Sequence, residues 1–365
     1  MLKQDLLDFN LQELQDFCVL NELPKFRATQ IWRWIYCFGI KSFKDMNNIS
    51  KITREFLNDI SVIPRLEVTE MQESKDGTIK WLIKLNDGSE IETVYIPQDD
   101  RGTVCLSSQV GCTLNCSFCH TGTQALVRNL KSSEIIGQLL LVMDYLNDWP
   151  SGKSNRKVTN IVMMGMGEPL LNYGEVSKAI KVMLSDDGIS LSRRRITLST
   201  SGIIPLIEKA GMDLGVNLAI SLHAVNDKLR NQLVPVNKKY NLESLIEACR
   251  NYPNLSNSRR ITWEYVMLRD INDTEKDAKN LIKLIRGIPS KINLIPFNPW
   301  PGSFFKTSTK KNIDMFAKVI MEAGFASPIR KPRGQDIYAA CGQLKSDTEK
   351  LRKSQINKLV PIHAI

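Results

Sequence analysis

The sequence predicts an α/β protein: a partial (β/α)6 barrel with a small helical domain before it and a β-hairpin between the two. Three observations predict this. From about residue 100 onward, short apolar strands alternate with amphipathic helices, which means right-handed βαβ units around a parallel sheet. Six such strands are legible, fewer than the eight that close a full barrel. The first sixty or so residues show helical spacing instead.

In chain order, residues 11–20 are amphipathic, and 29–38 read Thr-Gln-Ile-Trp-Arg-Trp-Ile-Tyr-Cys-Phe, an aromatic helix with Lys25, Arg27 and Arg33 around it. Cys18 and Cys37 fall on these helices and read as small buried hydrophobes. Residues 65–97 read as strands. Segments 80–85 and 91–96 flank Asn86-Asp87-Gly88-Ser89, a strong hairpin signal. In the core, strands are expected at 103–107, 158–164, 195–198, 215–220, 261–267 and 291–296. Helices are expected at 132–146, 173–184, 242–252, 275–285 and 311–323, with surface loops at 147–156 and 254–258. The expected division is therefore 1–64 for the helical domain, 65–97 for the hairpin, 98–344 for the barrel and 345–365 for a charged tail.

The chain has 365 residues, 42% of them hydrophobic, enough for a large core and too many for a disordered protein. Lys and Arg outnumber Asp and Glu by 49 to 39, and the net charge of +10 favours a polyanionic partner. The N-terminal helices, with Arg193, Arg194, Lys238 and Lys239 on the barrel rim, are expected to contact it. The start, Met-Leu-Lys-Gln-Asp-Leu-Leu-Asp, lacks the pattern of a signal peptide, and no apolar run suits a membrane span. A cytosolic location follows, where thiols stay reduced, so the eight cysteines read as ligands, nucleophiles or core residues. With only His120, His223 and His363, a histidine-built metal hydrolase is disfavoured.

The strongest motif is Cys112-Thr-Leu-Asn-Cys116-Ser-Phe-Cys119, placed just after the first parallel strand. Three thiolates in one short loop can hold three irons of a four-iron cubane and leave the fourth open. In radical S-adenosylmethionine (SAM) enzymes that iron chelates the amino and carboxylate groups of SAM. One electron then splits the sulfonium and releases a 5′-deoxyadenosyl radical. Phe118 fits the aromatic found beside the SAM adenine. The competing reading is a zinc site completed by Cys105 or a distant cysteine. The second motif, Gly165-Met166-Gly167-Glu168-Pro169, follows a strand; its glycines admit a ligand closely and its acid can face an ammonium group. Ser199, Ser221-Leu222-His223 and Asn298 each follow another strand, on the face where such barrels place their active sites.

With these motifs in place, the sequence resembles the bacterial dual-specificity RNA (adenine-C2) methyltransferases of the radical SAM superfamily. The resemblance rests on Cys105-Leu-Ser-Ser-Gln-Val-Gly-Cys112, the cysteine loop, Gly165–Leu170, Arg195-Ile-Thr-Leu-Ser-Thr-Ser-Gly202 and Ser221-Leu-His-Ala224. It continues through Leu294-Ile-Pro-Phe-Asn-Pro-Trp-Pro-Gly302 and Arg333-Gly-Gln-Asp-Ile-Tyr-Ala-Ala-Cys-Gly-Gln-Leu344, and it includes Glu92-Thr-Val-Tyr-Ile-Pro97 and the aromatic N-terminal helix. His120 and Ala125 depart from the family pattern, where a small residue and a glycine are usual.

The resemblance implies one [4Fe-4S] cluster on Cys112, Cys116 and Cys119, and two SAM molecules per turnover. It implies SAM contacts from Gly167, Glu168, Ser199, Ser221, Leu222, His223 and Asn298. Cys341 would carry a methyl group, Cys105 would resolve it through a transient disulfide, and Glu92 would accept a proton. The implied substrates are an adenosine near the peptidyl-transferase centre of 23S ribosomal RNA and the adenosine 3′ to the anticodon in tRNAs. A reducing partner such as a flavodoxin, a monomeric state and no membrane association are expected. The chemistry is coherent, because adenine C2 is not nucleophilic whereas a thiolate can take a methyl by displacement. Outside the resemblance, Cys105 and Cys341 read as buried structural cysteines, as does Cys249. A sister enzyme methylating C8 and a zinc-stabilised RNA-binding protein without catalysis are the alternatives.

Overall fold

The computed structural model describes residues 3–346; the charged tail beyond Ser346, with His363, lies outside the described residues. The N-terminal domain comprises β1 (Gln4–Asp5), α1 (Leu11–Leu20), α2 (Phe26–Tyr36), α3 (Lys51–Ile60) and β2 (Ser61–Val62). Asn10 and Glu13 form a reciprocal capping box that starts α1, and the Ser50 hydroxyl accepts the Thr53 N–H to start α3. Leu14, Cys18, Ile31, Trp32, Ile35, Tyr36 and Leu57 are buried together. The domain is joined to the barrel by polar contacts as well. The Trp32 indole donates to the Ser185 hydroxyl (3.2 Å), and Arg65 Nε donates to Asp144 (2.8 Å).

Three antiparallel strands follow: β3 (Glu67–Glu73), β4 (Ile79–Lys84) and β5 (Glu90–Gln98). The core then runs through β6 (Arg101–Cys105), the short pair β7 (Gln109–Val110) and β8 (Arg128–Asn129), α4 (Ser132–Tyr145), β9 (Asn160–Met163) and α5 (Tyr173–Leu184). It continues with β10 (Ile196–Thr200), α6 (Ile204–Leu214), β11 (Asn217–Ser221), α7 (Asp227–Leu233), α8 (Leu242–Arg250), β12 (Ile261–Met267), α9 (Glu275–Leu284), β13 (Ser290–Pro296) and α10 (Lys310–Glu322).

Strands β6 and β9 to β13 pair in parallel, in chain order, as six neighbours. They are buried on both faces, which explains the near-continuous apolar run of β12, Ile-Thr-Trp-Glu-Tyr-Val-Met. The barrel stays open. At one edge the segment after α10 lies along β13 through bridges Lys291↔Ala326 and Leu294↔Ile329. At the other edge β5 pairs antiparallel with β6, so the hairpin and its third strand β3 extend the same sheet to nine strands.

Gln138 in α4 ties this junction together and is fully buried. Its Oε1 accepts the Ser107 N–H (2.8 Å) and the Thr93 hydroxyl, and its Nε2 donates to the Ser107 carbonyl (3.0 Å). One side chain therefore fixes β5 and the chain that leaves β6 toward the cysteine loop. Replacing it leaves both backbone groups of Ser107 unpaired in the core. Gln138→Leu is predicted to lower stability by about 2–4 kcal/mol. Urea unfolding checks this; a loss below about 0.5 kcal/mol contradicts the assigned role.

Candidate active site

The cysteine loop leaves β6 and crosses the end of the barrel. Cys112, Cys116 and Cys119 all line one cavity that opens to solvent. The loop is shaped by its own backbone: Cys119 N–H donates to the Cys116 carbonyl (3.1 Å), and Gly122 N–H to the Cys119 carbonyl (3.1 Å). Burial first, then the charges of Cys112, Cys119 and Glu168, pushes the Cys116 thiol well above its ordinary range. Burial also raises the Cys119 thiol. Cys116 and Cys119 therefore resist losing their protons to water. Iron removes that penalty, because it takes the place of the protons. Among the described residues, no three His, Cys, Asp or Glu side chains converge as ligands of a single metal ion. A cubane instead distributes three thiolates over three irons around one shared space, which is what this cavity provides.

Opposite the loop, β9 ends in the glycine turn. Gly167 has φ of +97°, and a Cβ there would stand 2.5 Å from the Gln109 Cβ, so only glycine fits. Glu168 is buried; its two oxygens accept the Leu170 N–H (3.1 Å) and the Ser201 N–H (2.8 Å). Burial outweighs these bonds and pushes its carboxyl up to about 7. Ser199 and Ser221 line the same cavity from the ends of β10 and β11.

His223 also lines the cavity, with a left-handed backbone at φ of +59°. Its Nδ1 accepts the Val266 N–H (3.0 Å), so the ring proton sits on Nε2. Burial, then the charge of Arg230, pulls its pKa down to about 3, and the ring is neutral. Phe118 meets it edge-on at 4.5 Å between ring centres. Leu222 is buried behind this wall, and its N–H donates to the Glu264 carbonyl (3.1 Å).

Cys341 comes to the cavity from the far end of the chain. Asn298 does not line the cavity; its amide donates to the Cys341 carbonyl (3.2 Å) and accepts from Gln335 Nε2 (3.0 Å). Surrounding protein pushes the Cys341 thiol up to about 11, although the residue is open to solvent, and Arg330 pulls it back. Cys105, on β6, lies behind the cavity wall. Burial, then the charge of Cys341, pushes its thiol up to about 12, again against Arg330. Glu92 lies apart, in a second, polar pocket with Glu70, Gln72, Lys80, Leu82 and Lys345. It pairs with Lys80 (2.8 Å) and accepts the Lys345 N–H (2.6 Å); burial still raises its carboxyl. The segment from Cys341 to Lys345 thus separates Glu92 from the cavity.

The sequence reading missed Ser201, Arg230 and Glu264. Glu264 lines the cavity from β12, with one oxygen held by Asn293 (2.9 Å) and the other buried without a hydrogen-bond partner, 3.8 Å from Arg330. A lone carboxylate inside the apolar run of β12 is a signal that was available. The basic rim needs correction: Arg193 and Arg194 precede β10 and so sit at the end of the barrel opposite the cavity. Lys238 and Lys239 follow α7 and are exposed on the cavity side. Cys18 and Cys249 are core residues as expected; Cys37 is half-buried, its thiol donating to the Gly188 carbonyl (3.2 Å).

Glu168 makes the cofactor-free chain pH-sensitive. Its folded pKa lies above the unfolded value, so it contributes stability that is full below about 4.5 and lost as pH rises through about 7. The predicted span is on the order of 3 kcal/mol. Urea unfolding from pH 4.5 to 8 should show this decline in the parent chain and a flatter profile in Glu168→Gln. Parallel profiles would contradict it.

Comparison with known proteins agrees with this geometry. Residues 4–63 match the N-terminal domain of the ribosomal RNA large subunit methyltransferases, and residues 106–284 match the radical SAM superfamily. The chain is 57% identical over 363 residues to the dual-specificity RNA methyltransferase RlmN of Bartonella tribocorum, covering 96% of this chain and 89% of that one. It is 58% identical over 343 residues to the RlmN of Sinorhizobium fredii, covering 90% and 84%. The crystal structure of a radical SAM methyltransferase from Sphaerobacter thermophilus matches with a TM-score of 0.86 at 38% identity, over 94% of this chain and 99% of that one. The chain belongs to the RlmN family of dual-specificity RNA methyltransferases, and it is a radical SAM enzyme.

Proposed function

We propose that this radical SAM RNA methyltransferase methylates C2 of an adenosine in the peptidyl-transferase region of 23S ribosomal RNA, and of the adenosine 3′ to the anticodon in tRNAs. The name of its relatives supports two RNA substrates. The observation that carries the mechanism is the meeting of Cys341 with Cys112, Cys116 and Cys119 in one cavity. Family membership implies SAM and a four-iron cluster. Cys112, Cys116 and Cys119 would hold the cluster; Gly167, Glu168, Ser199, Ser221 and His223, which line the cavity, would hold SAM, with Leu222 supporting that wall and Asn298 acting from outside it through the Cys341 carbonyl. When bound, cluster and SAM supply a 5′-deoxyadenosyl radical.

Two SAM molecules serve each turnover. The Cys341 thiolate would attack the methyl carbon of the first and displace S-adenosylhomocysteine, helped by the positive charge of Arg330. The methyl group held on Cys341 would be the one that gives up a hydrogen atom to the radical supplied with the second. The Cys341 methylene would then bond to adenine C2, the one surplus electron would return to the redox centre that supplied it, and Glu92 would accept the C2 proton. For that, the Glu92–Lys345 hydrogen bond must open. The Cys105 thiolate would then attack Cys341 Sγ and break its bond to the methylene carbon, which takes up a proton as methylated RNA leaves, and a reductant such as a flavodoxin-linked system must reduce the resulting disulfide. We place this monomeric enzyme in the cytoplasm; no helix among the described residues is long and apolar enough to cross a membrane.

The two cysteines are predicted to fail differently. Cys341→Ala should bind SAM and RNA but never join to RNA. Cys105→Ala should form the bond and stall as a protein–RNA adduct. Mass spectrometry of the Cys341 peptide reads both outcomes. Substantial RNA methylation by Cys341→Ala would overturn the mechanism.

A further inference from the structure

Arg230 is 0% exposed, and none of its hydrogen bonds goes to a carboxylate. Its Nε donates to the Leu222 carbonyl (3.1 Å), and its Nη2 donates to the carbonyls of Ser201 (2.7 Å) and Ser221 (3.1 Å). Its Nη1 donates to Asn237 Oδ1 (2.7 Å), and that amide is braced in turn by Asp227 (2.7 Å). Such an arrangement is costly. Buried charges are normally paired, and carbonyl dipoles carry only partial charge. A neutral side chain could cross-link strand ends at less cost, so the positive charge needs its own explanation.

The surroundings supply one. The same helix, α7, fastens the cysteine loop, because the Ser117 N–H donates to the Leu233 carbonyl (3.1 Å). Arg230 therefore grips the ends of β10 and β11 while its helix grips the residue after Cys116. Burial pulls its guanidinium down to about 10, and Cys116 is the first of the charges that pull it back up. A cubane on three thiolates is anionic, and one more negative charge arrives on reduction. Net charge and hydrogen bonding around a cluster set its potential.

We propose that Arg230 is a positioning residue for the radical chemistry: it locks the strand ends that face the SAM cavity and places a buried positive charge beside the cluster loop, so that the cluster is easier to reduce. This rests on the reading that Cys112, Cys116 and Cys119 hold the cluster.

The test is the midpoint potential of anaerobic holoenzyme without SAM, followed by the electron paramagnetic resonance signal of the reduced cluster. Arg230→Gln, with iron retained, should lower the ratio of reduced to oxidised cluster at fixed potential about tenfold, a fall of about 59 mV for one electron. Arg230→Lys should hold the potential near the parent value yet raise KM for SAM, because an ammonium cannot span the three carbonyls. Asp227→Asn keeps the oxygen acceptor and removes an opposing charge, so it should raise the ratio severalfold. A purely structural role for Arg230 moves stability and KM but not the potential. A parent-like potential in Arg230→Gln overturns the proposal. Where that variant does not fold, an unmoved potential in Asp227→Asn overturns it instead. Parent protein that holds no iron overturns the cluster reading itself, before any variant is compared.

Discussion

A right-handed βαβ sheet delivers the C-terminal end of every parallel strand to the same side. In this chain the cysteine loop, the glycine turn, Ser199, Ser221 and Glu264 come from five successive strands or from the chain just beyond them, and they meet at one cavity for that reason. Because the barrel is open, the segment after α10 can lie along β13 and return Cys341 to the same place. A closed barrel would have its wall there. The antiparallel extension through β5 puts Glu92 on the other side of that returning segment.

The loop with three cysteines and the segment with Cys341 are held directly to each other as well as to the barrel. His120 N–H donates to the Gly342 carbonyl (2.7 Å), and the Thr121 hydroxyl donates to the Leu344 carbonyl (2.6 Å). Gln124 donates to the Ser346 carbonyl, and Trp300 both donates to the Phe118 carbonyl (3.0 Å) and stacks on His120 at 4.7 Å. His120, unusual beside the family pattern, is thus built into the junction. The position of Cys341 relative to the cluster loop is set by local hydrogen bonds, so movement of one carries the other. The Lys345–Glu92 bond extends the same network to the second pocket.

Much of this was legible because the chemistry lies in short motifs and the fold in regular alternation. α5 and β12 occur at the residues their periodicity predicts, 173–184 and 261–267. α6 was not among the expected helices, and it contains both Pro205 and Gly211. In the fold the proline falls in the first helical turn, where its missing N–H costs nothing. Gly211 is required because a Cβ would stand 2.5 Å from Pro253. β3 fell within the stretch 65–97 read as strands but was not delimited, because it is an edge strand with most of its residues exposed and carries no apolar alternation. Arg230 left no local signature either, since its partners are carbonyls brought together by three separate elements. The distance between Cys105 and Cys341 along the chain likewise hides their shared neighbour, Arg330.

The account depends on three thiolates that hold a cluster with one iron left open to SAM. The most direct measurement is electron paramagnetic resonance of the anaerobically reconstituted, reduced protein, with and without SAM, alongside its iron content. The account predicts about four irons per chain and a spectrum that changes when SAM is added. A reconstituted protein that binds its iron but shows the same spectrum with and without SAM would contradict it.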